Sequence, residues 1–469
     1  MVHSRSILVY FVLLVCSSLA VPVRAERPNV LLIAIDDLNN WVGCLDGHPQ
    51  ARSPNIDRLA QRGTLFTNAH CQAPICNPSR TSIMYGMRPS TSGVYMNAPR
   101  PWTVASMNDR VTLPRHFAAS GYQTYTAGKI YHGSGLPPGD FDEVGPRPGQ
   151  RQKLDERLVP ETRDGAGGLW DFGGQSYDEE LFQDYVDASW AIDVIGKRGE
   201  QPFFLAVGFY RPHVPFYSPT RVFLEIPADT IQLPEVKDGD RDDLPGIATK
   251  LMKAPAAPDH AWFVESGRWK EAVQSYLACV RWTDEQVGRV LDALAASPHA
   301  DNTIVVLYSD HGFFLGEKER WAKQSLWEQA TRVPFIISVP GLEQGRPCQR
   351  PVELLSIYPT LVELCDLPTQ AGLEGVSVKP LLADPVAEWP NVALTTFGKD
   401  NHAVRSETHR YIRYSDGSEE LYDLQSDPNE WNNLAGDGSL DSLKAELAEF
   451  LPAANAEPAR SDKRRKGNK

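Results

Sequence analysis

Apolar strands and amphipathic helices alternate along most of this chain, and this alternation restricts the possible folds more than any other feature of the sequence. A continuous apolar run at residues 29–35 has the length of one strand, and a helical pattern over 55–62 follows it and ends at Gly63. Strands that are apolar on both faces are typical of parallel sheets covered by helices on both sides. We therefore predict an α/β fold with a mostly parallel sheet, in which three more helix–strand pairs follow at 113–120 and 122–127, 178–196 and 203–209, and 269–296 and 303–309.

Two long segments between these elements, 133–175 and 227–258, are rich in Gly, Pro and Asp. This composition is typical of loops, and long ordered loops often build substrate pockets. In a parallel α/β sheet, ligands bind beyond the carboxyl ends of the strands. Polar side chains that directly follow the predicted strands are therefore the first candidates for functional residues.

The pattern changes near residue 391, where shorter elements begin. Short strands at 409–414 and 420–424, with a final helix over 440–450, indicate a small C-terminal α+β subdomain. The last ten residues are strongly basic and lack apolar side chains, which is typical of a disordered tail. The predicted organisation is therefore a signal peptide at 1–25, a main domain at 26–390, a C-terminal subdomain at 391–455 and a disordered basic tail at 456–469.

The first 25 residues have the pattern of a secretory signal peptide. His3 and Arg5 precede an apolar run at 7–16, and small residues then lead to a cleavage position after Ala25. A membrane anchor is the alternative, but it needs about 20 apolar residues and this run is shorter. We expect export to a periplasmic, lysosomal-type or extracellular location, without stable membrane insertion.

The charge of the chain limits its partners. The 469 residues carry a formal net charge of −13, which argues against sequence-independent binding to nucleic acid. A polyanionic substrate then requires a locally basic pocket. Seven cysteines are present, one of them in the predicted signal peptide. Six remain, a number that would normally suggest disulfides in an exported protein, and their pairing stays open.

The sharpest local motif is Cys-Asn-Pro-Ser-Arg at residues 76–80. Pro78 suits the first turn of a helix, so Cys76 is expected at the amino end, where free N–H groups and the helix dipole favour an anion. Arg80 lies one turn further on and can hold an oxygen anion. Because the motif is short, a buried cysteine before a proline-started helix is the alternative interpretation.

Acidic residues end two of the predicted strands. Asp36 and Asp37 follow the strand at 29–35, and Asp310 and His311 follow the strand at 303–309. Each pair alone is more typical of a turn or a helix cap. Together they place three carboxylates and an imidazole at one edge of the sheet, and oxygen ligands of this kind favour Ca²⁺ or Mg²⁺.

These two motifs together resemble the type I sulfatases, which depend on formylglycine and share the signature C-x-P-x-R. The likeness extends over about residues 28–433 of this chain. It implies an alkaline-phosphatase-like fold in which 26–390 is the catalytic sulfatase domain. It also implies that a formylglycine-generating enzyme oxidises Cys76 to formylglycine, whose hydrated aldehyde supplies the nucleophilic hydroxyl.

The resemblance further implies one divalent cation per chain, usually Ca²⁺. The residues implied as its ligands are Asp36, Asp37, Cys76 in its converted form, Asp310 and His311. Many members of the family have Asn or Gln at the position of His311, and histidine is similar to the iduronate-2-sulfatase-like branch. A nitrogen ligand leaves the identity of the metal open.

Basic side chains after other predicted strands match the substrate side of the same family. The resemblance implies that Arg80 holds the oxygen of the nucleophile, that Lys129 bridges this oxygen and sulfate, and that His132 accepts a proton from the formylglycine diol. His213 is expected to face the leaving-group oxygen, and Lys323 to contact sulfate. A single histidine or lysine in a loop is usually only solvated, so the shared order of these residues is what favours the interpretation.

The function implied is the removal of sulfate from a sulfated carbohydrate. Lys399, Asn401 and His402 in the C-terminal subdomain are candidates for binding a sugar carboxylate or a second sulfate. Two alternatives stay open. One is a phosphate or phosphonate ester hydrolase of the same superfamily, and the other is a non-catalytic sulfoglycan-binding protein whose Cys76 is never converted.

Overall fold

The structure is a computed structural model that describes most of the chain, and the described residues are 27–133, 135–146, 157–162, 169–196, 199, 201–252, 257–342 and 345–461. The predicted signal peptide at 1–25 and the end of the predicted tail at 462–469 lie outside the described residues. Within the described ranges, no helix combines the length and the hydrophobicity that crossing a membrane requires.

The strands are numbered here in chain order. They are β1 (Asn29–Ile35), β2 (Thr64–Leu65), β3 (Ala69–His70), β4 (Gln123–Gly128), β5 (Glu143–Val144), β6 (Phe172–Gln175), β7 (Phe203–Phe209), β8 (Phe216–Pro219), β9 (Thr303–Ser309), β10 (Phe314–Leu315), β11 (Trp321–Ala322), β12 (Phe335–Ser338), β13 (Val352–Glu353), β14 (Ala393–Thr396), β15 (His402–Arg405), β16 (His409–Arg413) and β17 (Glu419–Asp423).

The α-helices are numbered in the same way. They are α1 (Pro54–Arg62), α2 (Cys76–Tyr85), α3 (Pro89–Ser92), α4 (Leu113–Ala119), α5 (Gln183–Gly196), α6 (Thr220–Phe223), α7 (Gly246–Leu251), α8 (His260–Glu265), α9 (Trp269–Ala295), α10 (Glu328–Thr331), α11 (Ile357–Leu364), α12 (Lys379–Ala383) and α13 (Asp441–Ala448). Short 3₁₀ turns lie at Gly43–Leu45, Pro101–Thr103, Ala105–Met107, Glu179–Leu181, Ala228–Thr230, Ala300–Asn302, Glu317–Glu319, Leu354–Ser356 and Gly438–Leu440.

The central sheet of the described chain has seven strands in the order β2-β12-β9-β1-β7-β4-β5. The strands β9, β1, β7, β4 and β5 are parallel, and β12 is antiparallel to both of its neighbours. Every residue of β1, β7 and β9 is buried, because these central strands are covered on both faces. The predicted mostly parallel α/β sheet is therefore confirmed.

Two hydrophobic cores lie on opposite faces of this sheet. Side chains alternate along β1, so Leu31 and Ile33 belong to one core and Val30 and Leu32 to the other. The helices α1, α5 and α9 cover the first face, and α2, α4 and α11 cover the second. The helix that begins with Cys76 is thus fixed against the sheet by apolar packing.

One predicted helix is interrupted. The pattern at 178–196 indicated a single helix, but the structure has a 3₁₀ turn and then α5, with Phe182 extended between them at φ −69° and ψ 133°. Phe182 is buried against Trp282, and their ring centroids are 5.2 Å apart. The contact with a distant helix therefore outweighs the local helical pattern.

The C-terminal subdomain is a small antiparallel sheet in the order β14-β15-β16-β17, covered by α13. It is joined to the main domain by a buried ion-pair cluster around Glu328 of α10. Arg410 donates to Glu328, and the Arg405 Nε lies 3.3 Å from the same carboxylate. Arg410 also pairs with Glu430, with Nε and Oε1 2.6 Å apart. Two buried arginines of the subdomain therefore have their charges compensated by one carboxylate of the main domain.

The start of the predicted disordered tail needs a correction, because residues 456–461 bind to the main domain. The backbone N–H of Ala456 donates to Ser90 O at 2.7 Å, and that of Ala459 to Gly93 O at 2.8 Å. Tyr95 also donates to Ala456 O at 2.9 Å. Composition alone did not indicate these contacts, since they involve backbone groups.

The cysteines of the described residues are all free thiols, most of them buried, at Cys44, Cys71, Cys76, Cys279, Cys348 and Cys365. These six cysteines therefore form no disulfide, and the buried ones pack in the interior as small apolar side chains.

The Glu328 cluster predicts that Glu328→Gln destabilises the protein strongly. Burial raises the pKa of Glu328, but Arg405 and Arg410 outweigh burial and hold the pKa well below its usual range. Removing this carboxylate leaves buried guanidinium charge uncompensated, which costs about 3–5 kcal/mol. Urea unfolding at pH 7 measures the loss.

Glu363→Gln is the matched control, because Glu363 pairs with Lys379 at 3.4 Å on the surface. A surface pair contributes about 0–1 kcal/mol. Equal losses in the two variants would contradict the structural role of Glu328. Because its pKa is depressed, the wild-type contribution of Glu328 is present at neutral pH and falls as the pH drops below the unfolded carboxyl pKa of about 4.3.

Candidate active site

The candidate site lies at the carboxyl ends of the parallel strands. Asp36 and Asp37 follow β1, Asp310 and His311 follow β9, and Lys129 follows β4. Since these strands are parallel, their ends meet at one edge of the sheet. The pairing of β1 with β9 continues for one residue, because the backbone N–H of Asp310 donates to the last carbonyl of β1 at 3.1 Å.

Cys76 is the first residue of α2 and is buried, with 1% of its surface exposed. Three groups that can carry a positive charge contact its Sγ. Lys323 Nζ is 3.4 Å away, His311 Nε2 is 3.3 Å away and Lys129 Nζ is 3.7 Å away. The amino end of α2 adds the positive end of the helix dipole. The Sγ atom thus marks a position that favours an anionic oxygen.

Arg80 lies one turn further along α2, and every polar group of its side chain that is described here has an acceptor. Its Nε donates to Asp310 Oδ2 at 2.7 Å, and one NH2 group donates to Asp36 Oδ1 at 3.2 Å. Its other NH2 group donates to the carbonyls of Lys129 and Ile130. Arg80 therefore ties α2 to the ends of β1, β4 and β9.

A close approach of two strand ends makes this contact possible. Gly128 has a φ of +70°, and a Cβ atom at this position would lie 2.0 Å from the Gly208 carbonyl. A Cβ atom on Gly208 would in turn lie 2.2 Å from the Lys129 carbonyl. Only glycine fits at both positions, so the pair allows β4 to turn sharply over β7 and present Lys129 to the site.

The carboxylates fit a divalent cation. Ligand atoms of Asp36, Cys76, Asp310 and His311 lie within 4.8 Å of one another, and so do those of Asp36, Asp37, Cys76 and His213. Asp37 Oδ2 is buried and has no hydrogen-bond partner. A buried carboxylate oxygen without a donor is costly unless a cation binds it. Oxygen atoms of several carboxylates are the ligands that Ca²⁺ and Mg²⁺ prefer.

Backbone contacts orient two of the histidines. His311 Nδ1 is 3.0 Å from Gly312 O, and His213 Nδ1 is 2.6 Å from Val214 O. A carbonyl can only accept, so Nδ1 carries the hydrogen in both rings and Nε2 faces the site. His311 Nε2 points to Cys76, and His213 Nε2 is 3.9 Å from Asp37 Oδ2.

Lys323 and His132 complete the group around Cys76. Lys323 Nζ donates to Asp37 Oδ1 at 2.5 Å, and the residues on either side of Lys323 have positive φ angles of 81° and 70°. This strained turn is tied to the segment before Cys76, since the N–H of Gln324 donates to Pro74 O at 3.0 Å. His132 forms a side-chain hydrogen bond with Cys76. All six sequence-predicted catalytic residues and the predicted metal ligands are therefore brought together.

The electrostatics of the site follow from this crowding. Burial raises the pKa of the Cys76 thiol, but Lys129, Lys323 and His311 outweigh burial and hold the pKa well below its usual value. Burial lowers the pKa of the His311 imidazole, but the negative charge of Asp310 outweighs burial and raises this pKa to about 9. The position of Sγ therefore strongly favours negative charge.

The three substrate-binding candidates in the C-terminal subdomain each have a partner within the protein. Lys399 Nζ donates to Glu457 at 2.5 Å on the surface. The Asn401 side chain is buried in its own turn, where it donates to the carbonyls of residues 397 and 399. His402 contacts Thr396 Oγ1 at 2.9 Å, and burial lowers the pKa of His402 to about 4. These contacts explain the positions of the three side chains, and their role as substrate ligands stays a prediction.

Sequence reasoning missed a residue that holds the segment of His213. Asp184, buried at the start of α5, accepts from the backbone N–H of Tyr210 at 2.7 Å and of Arg211 at 3.1 Å. The Arg211 side chain then donates to the His213 carbonyl at 3.0 Å. Asp184 is about 25 residues away in sequence, and no local pattern marks it. Ser79, whose hydroxyl donates to Asp310 O at 2.6 Å, was visible only as an unassigned position of the Cys76 motif.

Fold and site together define a class of protein. A buried nucleophile position at a helix start, beside carboxylates that can hold a divalent cation, is the arrangement of a metal-dependent ester hydrolase on an alkaline-phosphatase-like sheet.

Comparison with known proteins identifies the family. The family described as Sulfatase matches residues 28–367, and that described as N-sulphoglucosamine sulphohydrolase, C-terminal, matches residues 316–457. A sulfatase from Formosa agariphila is 42% identical over 92% of this chain and 88% of its own length. Iduronate 2-sulfatase from Homo sapiens is 32% identical over 89% of this chain and 81% of its own length. The chain belongs to the sulfatase family, and it is an enzyme that hydrolyses sulfate esters.

The fold is also found outside the sulfatases. The crystal structure of a phosphonate monoester hydrolase from Agrobacterium radiobacter has a TM-score of 0.76 at 21% identity, over 90% of this chain and 94% of that one. At this identity the likeness concerns the fold alone. The reaction is therefore assigned from the family and not from the architecture.

The contacts of Asp184 predict that Asp184→Asn slows sulfate-ester hydrolysis. The amide offers one oxygen to two backbone N–H groups, so the segment that carries His213 is expected to shift. A small misplacement near a reacting group can cost about tenfold or more in rate. The measurement is kcat/KM on 4-nitrophenyl sulfate, beside the thermal unfolding midpoint.

Asp284→Asn is the matched control for this variant. Asp284 is also a buried helix carboxylate, and it accepts from the consecutive N–H groups of Asn55 and Ile56 at 2.9 and 2.8 Å, at the start of α1. Both variants should unfold at lower temperature, but only Asp184→Asn should lose activity at 25 °C. Equal activities would show that Asp184 has a purely structural role.

Proposed function

We propose that this enzyme removes sulfate from a sulfated carbohydrate, with formylglycine made from Cys76 as nucleophile and Ca²⁺ as the bound metal. The observation that carries the proposal is the environment of Cys76 Sγ. Two lysines and one histidine contact this buried atom at the amino end of α2, next to carboxylates that fit a cation. In the converted enzyme, an oxygen of formylglycine takes the place of Sγ.

The metal is proposed to bind to Asp36, Asp37, Asp310, His311 and the converted residue 76. When bound, the cation polarises the sulfate oxygens and favours the ionised form of the nucleophile. The buried Asp37 Oδ2 without a partner supports a ligand of this kind. Carboxylates in the majority favour calcium over a softer metal.

The side chains around residue 76 position the nucleophile and the sulfate. Arg80 cannot move, since its guanidinium is fixed by two carboxylates and two carbonyls. Lys129 lies between Asp36 and Cys76, so its ammonium can contact sulfate and nucleophile together. These cations are held in place before the substrate binds, and preorganised charge of this kind stabilises negative charge that develops in the transition state.

Proton transfer is proposed for two histidines on different sides of residue 76. His132 is hydrogen-bonded to Cys76, which suits removal of a proton from the second hydroxyl of the formylglycine diol. His213 presents Nε2 toward the Asp37 side of the site, where Lys323 also lies. His213 therefore suits proton donation to the departing alcohol, with Lys323 stabilising its negative charge.

A carbohydrate is the substrate class that the relatives support. The human relative is named for iduronate, a sugar acid, and it covers most of this chain. The predicted signal peptide is consistent with a role outside the cytoplasm, where sulfated glycans are degraded. We also propose that a formylglycine-generating enzyme of the host acts on residues 76–80.

Conversion of Cys76 is the first test. The protein is expressed with a formylglycine-generating enzyme, and the mass of the peptide that contains residue 76 is measured. We expect the lower mass of the aldehyde and release of sulfate from a sulfated disaccharide panel. Cys76→Ala should reduce activity by at least about a thousandfold, since loss of a nucleophile removes most of the catalysis.

Cys365→Ala is the control, because Cys365 is equally buried but lies at the end of α11, near Arg27 at the opposite, amino end of β1. This variant should keep its activity within about twofold. An unconverted wild type that binds glycan without turnover would support the non-catalytic alternative. A converted wild type that releases phosphate and no sulfate would support the phosphoester alternative.

Calcium binding predicts a rise in stability that does not depend on catalysis. At about 100 times its dissociation constant, a ligand that binds only the folded state adds about 2.7 kcal/mol to the free energy of unfolding. Urea unfolding in CaCl₂ and in EDTA measures this difference for the wild type and for Asp37→Asn. The variant should lose most of the rise.

Asp292→Asn serves as control for the metal experiment, since Asp292 pairs with Arg58 on the surface. It should respond to calcium as the wild type does. If the wild type unfolds at the same urea concentration in CaCl₂ and in EDTA, the calcium assignment is wrong. A rise with MgCl₂ but not with CaCl₂ would assign magnesium instead.

A further inference from the structure

The loop at 96–100 is fixed to the residue that follows the nucleophile. The Asn77 side chain donates to the carbonyls of Met96 and Pro99, both at 2.9 Å, and its backbone N–H donates to Asn97 Oδ1 at 3.2 Å. Asn77 itself is buried at the start of α2. The loop therefore has a fixed position beside residue 76, and its last residue is Arg100.

The side chain of Arg100 extends from this loop to the segment of His132. A Cβ atom on Gly133 would lie 3.5 Å from one terminal nitrogen of Arg100, and a Cβ atom on Gly135 would lie 2.7 Å from the other. Gly133 directly follows His132, which is hydrogen-bonded to Cys76. Both the backbone and the guanidinium of Arg100 are therefore close to residues that border the nucleophile.

Aromatic packing holds the guanidinium in this place. Arg100 lies over the ring of Trp102 at 5.7 Å from its centroid, and Trp102 packs edge-on against Tyr131 with centroids 5.7 Å apart. Tyr131 is buried and directly precedes His132. A cation held against an aromatic ring loses less conformational freedom when it binds a ligand.

Arg100 differs from the other cations of the site in having no carboxylate partner. Arg80 and Lys129 are buried, Lys323 is partly exposed, and all three are paired with aspartates. Arg100 is exposed, and among the described side chains no carboxylate oxygen lies within 4.0 Å of its nitrogens. Although the chain carries a net charge of −13, no described carboxylate neutralises the Arg100 guanidinium beside the buried anion site.

We propose that Arg100 binds a second anionic group of the substrate, a carboxylate or another sulfate, on the sugar that carries the scissile sulfate or on its neighbour. The planar guanidinium suits either group, because it can donate two parallel hydrogen bonds. This inference rests on the proposed function and deepens it, since it makes the substrate a polyanionic sugar. The reacting sulfate then binds beside Arg80, Lys129 and Lys323. Arg100 recognises the second anionic group of the substrate.

The test compares Arg100→Gln with wild type on substrates that differ only in charge, using enzyme converted by coexpression with a formylglycine-generating enzyme. One pair is a heparin-derived uronate 2-sulfate disaccharide and its uronate methyl ester. The other is glucosamine 2-N,6-O-disulfate and N-acetylglucosamine 6-O-sulfate, whose amide nitrogen is uncharged. KM is measured for a sugar that is hydrolysed, and the inhibition constant against 4-nitrophenyl sulfate for one that is not.

We expect Arg100→Gln to raise the constant for the polyanionic member of one pair by about tenfold to a hundredfold, the usual range for loss of a charged hydrogen bond. The constant for the member that lacks the second anionic group should change by less than twofold, and so should kcat on 4-nitrophenyl sulfate. Arg100→Lys should restore part of the affinity, because it keeps the charge. The pair that responds tells whether the group is a carboxylate or a sulfate.

Arg58→Gln is the control for removal of a surface arginine, as Arg58 lies on α1 at the opposite face of the sheet. Unchanged constants for Arg100→Gln on all four sugars would overturn the proposal, and so would an equal rise for the members with and without the second anionic group. Absence of sulfate release from 4-nitrophenyl sulfate and from all four sugars in the wild type would instead count against the proposed function, so the two failures are distinguishable.

Discussion

The buried ion pairs of Arg80 are the interaction on which the rest of the site depends. The Arg80 guanidinium contacts Asp36, Asp310 and the carbonyl of Lys129, and these residues follow three different strands. Taking an arginine out of water is expensive, so the arrangement is stable only while every partner is in place. The helix that begins with Cys76, the strand ends that carry the carboxylates and the turn that presents Lys129 are therefore fixed relative to each other by one side chain.

This arrangement also explains how an acidic protein, whose net charge repels anions, can bind an anionic sulfate ester. The chain as a whole carries a net charge of −13, but the groups that contact Cys76 Sγ are lysines and a histidine at the positive end of a helix. Each of these cations is also paired with an aspartate, which fixes its position. The low local dielectric strengthens these interactions, so the attraction for an anion is confined to the immediate surroundings of the nucleophile.

Much of the fold could be predicted because the central strands are continuous apolar runs. The predicted strands at 29–35, 203–209 and 303–309 agree with β1, β7 and β9, and the polar residues after β1 and β9 do meet at one edge. The catalytic candidates could be placed because they follow these strands in the order of a known family. The apolar pattern of a strand therefore predicts which side chains lie at the carboxyl end of the sheet.

Contacts between distant segments could not be predicted in this way. Phe182 breaks a helical pattern because it packs on α9, and Asp184 has no local sign that it holds the segment of His213. Lys399 was a candidate for binding an anionic group of the substrate, and its contact with Glu457 was not predicted. In each case the decisive partner lies far away in sequence, so a window of residues contains no information about it.

The most direct test of the account is the preference of the converted enzyme between sulfate and phosphorus esters with the same leaving group. The measurement is kcat/KM for 4-nitrophenyl sulfate, 4-nitrophenyl phosphate and 4-nitrophenyl phenylphosphonate under identical conditions. We expect the sulfate ester to be hydrolysed with the highest kcat/KM, and Cys76→Ala to abolish all three activities together. A higher kcat/KM for either phosphorus ester, or sulfate hydrolysis that persists in Cys76→Ala, would contradict this expectation.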